Sequence, residues 1–401
     1  MKRNTYFARR VLLGIVASML VACGGSDGDG APAGPASPGT LRVALTDKPA
    51  CGYDEVNVTV EKVRVHQSAS AAEDGGGWSE VVLNPVKRVD LLTLTNGVLE
   101  ELGATSLPAG NYTQVRLVLS SNSVAVPLAN SVVPTGGTET ALDTPSGQQS
   151  GLKINTNVGV ASNQVTDIVL DFHVCESVVS AGQSGRYILK PVLSILPRAT
   201  ATSLAVEGFV ATPIANGTTS VSLQQAGVVA RGTVPDSTGK FLLSPVPAGT
   251  YDLVITASGR ATAVVTGVPV TAGSKTVVNA STAPIDPPAS TFRTASGNVT
   301  TTGTTTIPSA TLRAMQVIGT PMIEVIARPT DAVTGAYSFS LPIGAPVKTA
   351  YAASATTLAF TPEASAAAKY TLEARAPAKP TQTASIDLTS AAVITPFMFA
   401  P

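Results

Sequence analysis

The chain has 401 residues with 26 basic and 26 acidic side chains, and only 13% of it is charged and 4% aromatic. A neutral chain so poor in charge offers no general basic surface for nucleic acid. Its length exceeds what one hydrophobic core fills, which argues for two or three domains. The mean hydropathy of +0.27 reflects abundant Val and Ala between 35 Gly and 29 Pro, the composition of short strands separated by turns.

The first residues have the layout of an export signal. Lys2, Arg3, Arg9 and Arg10 precede an apolar stretch from Val11 to Ala22, broken only by Gly14 and Ser18. About a dozen apolar residues suits a signal core and falls short of the roughly 20 that a spanning helix needs. The stretch ends in Leu20-Val21-Ala22-Cys23, which resembles the lipobox of bacterial lipoproteins. That resemblance implies a signal peptide over 1–22, cleavage before Cys23 and lipidation of its thiol, with several acyl chains giving stable anchoring. Losing 1–22 removes four basic and no acidic residues, leaving 22 against 26 and a net charge of −4. An anionic membrane surface is then disfavoured as a partner, and the lipid is the only membrane contact expected.

Residues 23–39 follow as a flexible tether of Gly, Pro, Ala, Ser and Asp, reaching roughly 20–25 Å. Gly24, rather than Asp, stands after the lipidated position, and by analogy with Gram-negative lipoproteins this implies the outer membrane, periplasmic or surface-facing. The Asp27-Gly28-Asp29-Gly30 run lacks a following Glu at the offset a calcium loop requires, so it reads as solubilising linker.

The first domain is expected over 40–199. Its opening strands include Val56, Val58 and Val60 in strict alternation, after which the phase slips to Val63 and Val65, the mark of a β-bulge. Asn96–Gly103 reads as one short helix, capped by Asn96 and ended by Gly103. A long strand then places Val115, Leu117 and Leu119 on one face, residues 120–151 form a polar excursion, and two further strands around 168–179 and 187–197 close the unit.

These phrases resemble the bacterial lipoprotein domains grouped as domain of unknown function 4382. The matching residues are LTDKP at 45–49, the strand Val56–Val65, Trp78, DLLTLTNG at 90–97, LPAGNYTQVRL at 107–117, TPSGQQSGLK at 144–153, LDF at 170–172 and LKPVL at 189–193. The resemblance implies a sandwich-like fold and no particular activity. It also implies an acidic residue after LDF, where this chain has His173, which weakens any cation site using that position.

The second domain is expected over 204–284, around Thr238-Gly239-Lys240-Phe241 and Pro247-Ala248-Gly249-Thr250-Tyr251. It resembles carboxypeptidase regulatory-like domains, small transthyretin-like β-sandwiches grouped with carbohydrate-binding folds. Gly239 and Gly249 are expected at reversals that need positive φ. PIDPPAS at 284–290 reads as a stiff linker. The third domain, 291–401, repeats the grammar: Ser296-Gly297-Asn298-Val299 echoes EGFV, Thr334-Gly335-Ala336-Tyr337 echoes TGKF, and Tyr370-Thr371-Leu372 follows an Ala- and Thr-rich insertion. The expected fold class is therefore all-β, with tandem β-sandwiches after a lipoprotein signal peptide and tether.

Chemistry is sparse. His66 and His173 stand in no nucleophile-elbow or zinc-helix motif, and no phosphate loop is present. No catalytic residue, metal ligand set or cofactor is expected. Cys51 and Cys175, left after Cys23, suit a disulfide in an oxidising compartment, the competing reading being a metal or redox pair. Asp47 and Asp171 are the notable carboxylates, either a ligand site near that bridge or, the bland reading, turn and strand-end hydrogen bonding. Trp78, the only tryptophan, either stacks on a sugar from an exposed loop or fills the core. Together these point to a non-enzymatic envelope lipoprotein that binds carbohydrate, peptidoglycan or an envelope protein. A carboxylate-dependent hydrolase of envelope polymers and a purely structural spacer are the alternatives.

Overall fold

Alternating valines organise the first sandwich. In the computed structural model, which describes residues 37–47, 52–145, 147, 150–198, 204–354 and 356–401, the strands β1 (Gly39–Asp47), β2 (Tyr53–His66), β3 (Ser79–Asp90), β4 (Glu100–Leu107), β5 (Gly110–Leu119) and β6 (Ser131–Pro134) come first. They are followed by β7 (Thr140–Asp143), β8 (Leu152–Val160), β9 (Val165–Phe172), a one-turn helix α1 (Val174–Ser177), β10 (Val178–Ser180), β11 (Tyr187–Leu189) and β12 (Leu193–Pro197). One sheet runs β12-β9-β1-β4; the other runs β10-β11-β7-β6-β2-β5-β8, with β3 also paired to β2. The export signal, Cys23, the tether through residue 36 and Cys51 lie outside the described residues.

The register of β2 against both β3 and β5 jumps between Val60 and Lys62, so Glu61 is the bulged residue. The bulge lets Val56, Val58, Val60, Val63 and Val65 all face inward, where they pack with Leu41, Leu45, Leu170 and Phe172. The helix expected at Asn96–Gly103 does not form. Asn96 and Gly97 both take positive φ (56° and 81°), a turn that no helix can contain, and Glu100–Leu107 is strand β4 on the edge of β1. Nor does one strand run from 168 to 179, because the chain breaks at His173 into α1.

The second sandwich contains β13 (Ala205–Phe209), β14 (Ser220–Gln225), β15 (Val228–Thr233), β16 (Lys240–Leu243), β17 (Gly249–Thr256), β18 (Ala263–Val270) and β19 (Lys275–Val277). Gly239 does need its conformation: φ is +87°, and a Cβ there would lie 2.1 Å from Val210 O. Gly249 does not have positive φ; its small size instead leaves room for the Tyr251 ring, 3.2 Å from where a Cβ would stand. Tyr251 donates to Pro247 O at 2.9 Å, and Tyr112 makes the same bond to Pro108 O at 2.9 Å. The Pro-Ala-Gly-x-Tyr phrase is thus one corner device used in two sandwiches.

The third sandwich contains β20 (Phe292–Thr301), β21 (Thr311–Val317), β22 (Met322–Pro329), β23 (Ala336–Pro342), β24 (Val347–Ala350), β25 (Thr361–Pro362), β26 (Lys369–Arg375), β27 (Gln382–Asp387), β28 (Val393–Ile394) and β29 (Phe397–Phe399). Its pairing repeats that of the second. Gly208 stands opposite Phe241, and Gly297 opposite Tyr337, each glycine making room for the ring beside it.

The insertion does not stay with the third sandwich. Strand β24 pairs in parallel with β18, giving a six-stranded sheet β15-β14-β17-β18-β24-β25. Val347 is buried in the second core, and Tyr351, Leu358 and Phe360 pack against it. The linker is docked too: Ile285 is buried in that core, and Ala261 N–H donates to Pro288 O at 2.9 Å. Residues Ser37–Pro401 consequently form one compact unit.

A buried apolar side chain of this size contributes about 1.5–3 kcal/mol, and an uncovered strand edge is a template for association. Replacing residues 346–363 with a Gly/Ser loop should therefore lower the melting temperature and produce concentration-dependent oligomers by size-exclusion chromatography. An unchanged melting temperature and a monomeric elution profile would refute the role assigned to β24.

Candidate functional site

Asp47 and Asp171, the carboxylates singled out in the sequence, are both completely buried. Parallel pairing of β1 with β9 sets Thr46 opposite Asp171 and Asp47 opposite Phe172. Asp47 accepts from Val174 N–H at 3.2 Å and so seats the start of α1. Asp171 accepts from the Arg231 guanidinium at 2.6 Å, and a second Arg231 nitrogen donates to Thr46 Oγ1 at 2.7 Å. Thr46 Oγ1 in turn lies 3.0 Å from Leu94 O. Arg231 belongs to β15 of the second sandwich, yet only 1% of its side chain is exposed. The pair therefore fastens two domains, and neither carboxylate lines an open cleft.

Sequence reasoning missed Arg231. Its signal is one charge in the middle of Val228-Val229-Ala230-Arg231-Gly232-Thr233, where a buried strand position demands a partner, but nothing local names Asp171. Beside it, Asn96 N–H donates to Thr233 Oγ1 at 2.6 Å, and Leu242 N–H donates to Asn96 Oδ1. The positive-φ turn at Asn96-Gly97 is what presents that amide to the second sandwich.

Other contacts tie the third sandwich to both of the others. Gln224 reads the backbone of Glu324, donating to its carbonyl at 2.8 Å and accepting from its N–H at 2.7 Å. Arg313 pairs with Glu324 at 2.5 Å and Glu373 at 2.6 Å within the third sandwich, and its guanidinium also donates to Gly227 O of the second. Apolar Val254 and Val264 of the second sandwich pack with Ile318 and Ile323 of the third. Asp331 accepts from Gly182 N–H at 2.7 Å and Ser180 Oγ at 2.9 Å in the first sandwich. Burial raises the Asp331 pKa, but hydrogen bonds from the N–H groups of Thr334, Gly182 and Val333 and from the Thr334 hydroxyl outweigh it and hold the carboxyl at about 2.

Trp78 is half-buried on the outer face of the first sandwich, outside its core. Arg64 and Arg116 stand directly opposite each other on β2 and β5, and both lie over the indole, at 4.5 and 5.1 Å from the ring centre. The indole quadrupole and Glu80, 2.9 Å from Arg64, offset the repulsion of this like-charged pair. Its N–H donates to Ala72 O at 2.9 Å, and His66 packs alongside at 5.0 Å. The ring is thus already engaged. His173 lies 3.6 Å from Asp171 and 3.7 Å from Glu176. Cys175 is on α1, and its expected partner Cys51 lies outside the described residues. Among the described residues no cluster of His, Cys, Asp or Glu is arranged to hold a metal ion.

Where the three sandwiches meet they leave a cavity of about 1020 Å³, with walls from Tyr53, Leu92 and Glu176 of the first, Ser220 and Thr256 of the second, and Arg328 of the third.

Residues 38–191 match the family described as Domain of unknown function (DUF4382), and residues 205–283 match the carboxypeptidase regulatory-like domain, in the order expected. No curated protein matches the chain. Among solved structures, a chain of a type II cohesin–X-dockerin complex from Acetivibrio cellulolyticus is 27% identical over 20% of this chain and 55% of its own length, with a TM-score of 0.17. The chain thus spans only about half the length of that relative. The Bacillus anthracis TIE protein is 13% identical over 91% of this chain and 51% of its own, with a TM-score of 0.18. The Corynebacterium diphtheriae major pilin SpaA is 11% identical over 90% of this chain and 100% of its own, with a TM-score of 0.20.

Breaking a buried ion pair by removing one partner costs about 3–5 kcal/mol, whereas replacing both with apolar residues can be near neutral. Arg231→Ala should accordingly lower thermal stability sharply, and the double variant Arg231→Met with Asp171→Leu should recover most of the loss. Equal losses in the single and double variants would show that the pair is not what joins these domains.

Asp331 gives a second test, with a sign fixed by its depressed pKa. Its contribution is present above the ordinary value of 3.8 and is lost as pH falls towards about 2. The stability gap between wild type and Asp331→Asn, measured by denaturant titration, should be full at pH 6 and should close through that acid window. A gap that is constant with pH would remove the carboxylate from the domain contact.

Proposed function

We propose that this chain is an outer-membrane lipoprotein, anchored by acyl groups on Cys23, whose three sandwiches act as a non-enzymatic binding module with a carbohydrate, peptidoglycan or envelope-protein ligand. The observation that carries this reading is the burial of Asp171 against Arg231. The carboxylate with most claim to chemistry is consumed in fastening two domains, so the fold invests its polar residues in holding one rigid body. Such a body, on a tether, presents surfaces at a set geometry outside the membrane. A hydrolase working through Asp47 and Asp171 draws no support from two completely buried carboxylates. Neither matched family description names a catalytic activity.

The Cys51–Cys175 disulfide belongs to the same reading. Asp47, four residues before Cys51, bonds the backbone of Val174, the neighbour of Cys175. A bridge there would close a loop of about 125 residues and contribute ~4–5 kcal/mol in the chain-entropy account.

The test is expression of the full chain, with its leader, in a Gram-negative host fed radiolabelled palmitate. The label should enter the wild type and be absent from Cys23→Ser. The wild type should leave outer-membrane fractions only with detergent, and its denatured, unreduced form should show no free thiol. A Cys23→Ser chain that still fractionates with the envelope would overturn the anchor, and two titratable thiols would overturn the bridge.

A further inference from the structure

The cavity at the meeting point of the sandwiches differs from the other domain contacts in one respect. Arg231 and Arg313, the arginines buried at those contacts, are each matched to carboxylates. Arg328, on β22, is not. Its Nε is buried without a hydrogen-bond partner, and no described carboxylate lies within ion-pair distance of it. Of the acidic groups on the same walls, Glu324 is paired with Arg313, Glu176 stands beside His173, and Asp54 is exposed and accepts from Gly136 N–H at 3.1 Å, so none of them is committed to Arg328. A partly buried guanidinium that borders open space, with its Nε unsatisfied and no protein anion beside it, is costly unless something else fills the role.

We propose that this cavity binds an acidic saccharide, with Arg328 taking the carboxylate and Tyr53 and the wall hydroxyls taking the sugar hydroxyls. The inference rests on the reading of the chain as a binding module, and it names the site and the ligand class. The chemistry of the walls selects that class. The second sandwich contributes Ser220, Ser222, Thr256 and Ser258, neutral groups that both donate and accept, as a polyol requires. Val325 and Ile326 supply apolar patches for the C–H faces of sugar rings. A single unmatched cation fits one carboxylate and not a polyphosphate or a nucleic acid. A volume of about 1020 Å³ exceeds what one small anion would fill and has room for more than one ring.

Tyr53 is built to take part. Its ring is held edge-on against Tyr187, with centres 6.0 Å apart and planes at 82°. Burial, and then the nearby Tyr187, push its phenol up to about 12, so it stays a neutral donor at ordinary pH. Burial also lowers the Arg328 pKa, as expected for a cation that awaits a counter-charge.

Titration calorimetry on the full chain, with a galacturonic acid trimer as probe, a neutral galactose trimer as its counterpart and inorganic phosphate as a third arm, decides the matter. The acidic trimer should bind, and the neutral trimer and phosphate should bind far more weakly. Arg328→Gln should weaken the acidic trimer about 10- to 100-fold, the size of one charge-assisted hydrogen bond, at an unchanged melting temperature. Tyr53→Phe should weaken it less. If Arg328→Gln fails to fold, the contrast between acidic and neutral trimers in the wild type still carries the decision. Equal binding of both trimers, equal binding of phosphate, unaltered binding by Arg328→Gln, or no binding of the acidic trimer would each overturn the proposal. Envelope retention with an unresponsive cavity would leave the lipoprotein reading standing and move its ligand to another surface.

Discussion

The guanidinium of Arg231 is carried by one sandwich and buried in another, and the rest of the architecture follows from that exchange. A charge removed from water is tolerated only if its partners are already in place. Here they are set by the parallel pairing of β1 with β9, which puts Thr46 beside Asp171. Thr46 is itself held by the carbonyl of Leu94, in the segment that ends in the Asn96-Gly97 turn. The receiving site in the first sandwich is therefore built from three separate chain segments. Any movement of β15 away from this site would separate the Arg231 guanidinium from the Asp171 carboxylate and the Thr46 hydroxyl.

The three domain contacts use different chemistry for the same end. The first and second sandwiches share a buried ion pair. The second and third share Gln224, whose amide imitates a strand by donating to and accepting from one residue's backbone, together with an apolar patch around Val264 and Ile323. The first and third share Asp331, which also shapes its own turn through Val333 and Thr334. Its counterpart in the second sandwich, Asp236, makes the equivalent bonds to Thr238 and Lys240 without reaching another domain. One turn design thus serves locally in one repeat and as a fastener in the next. Strand β24 adds a fourth link, since the third sandwich lends it to the sheet of the second.

How much of this was legible depended on range along the chain. The bulge at Glu61 could be read because five valines keep the two-residue period on either side of it, and local periodicity needs no tertiary information. The repeat of the second sandwich in the third was legible from Gly297 and Tyr337, since a glycine opposite a ring leaves a trace at both positions. Asn96–Gly103 was misread because Asn96 and Gly103 were weighed as a helix cap and terminator above the Asn-Gly pair itself, whose preference for positive φ is the stronger constraint. The buried roles of Asp47 and Asp171 were only partly legible: hydrogen bonding was expected of both, but not that Asp47 would accept from Val174 or Asp171 from an arginine of another domain. Arg231, Arg328 and β24 were not legible at all. Arg231 and β24 act at partners more than 50 residues away, and Arg328 borders a cavity whose walls come from all three sandwiches, so one sequence without its fold does not say which distant segments will meet.

The central cavity is a consequence of the same geometry. Sandwiches are stiff, convex bodies whose cores are already close-packed, so three of them touching pairwise cannot also fill the space between all three. Apolar walls would make such a space a standing loss of contacts, and wholly charged walls would drive the domains apart. The chain instead places short hydroxyl side chains on the second sandwich's share of the wall and, on the third's, a single arginine and the paired Glu324. Because β22 carries both Glu324, which is held by Gln224 and Arg313, and Arg328, the contact that locks the third sandwich to the second also sets where Arg328 points. The buried contacts between the sandwiches and the position of the unmatched cation are therefore one property of the fold, since breaking the first would displace the second.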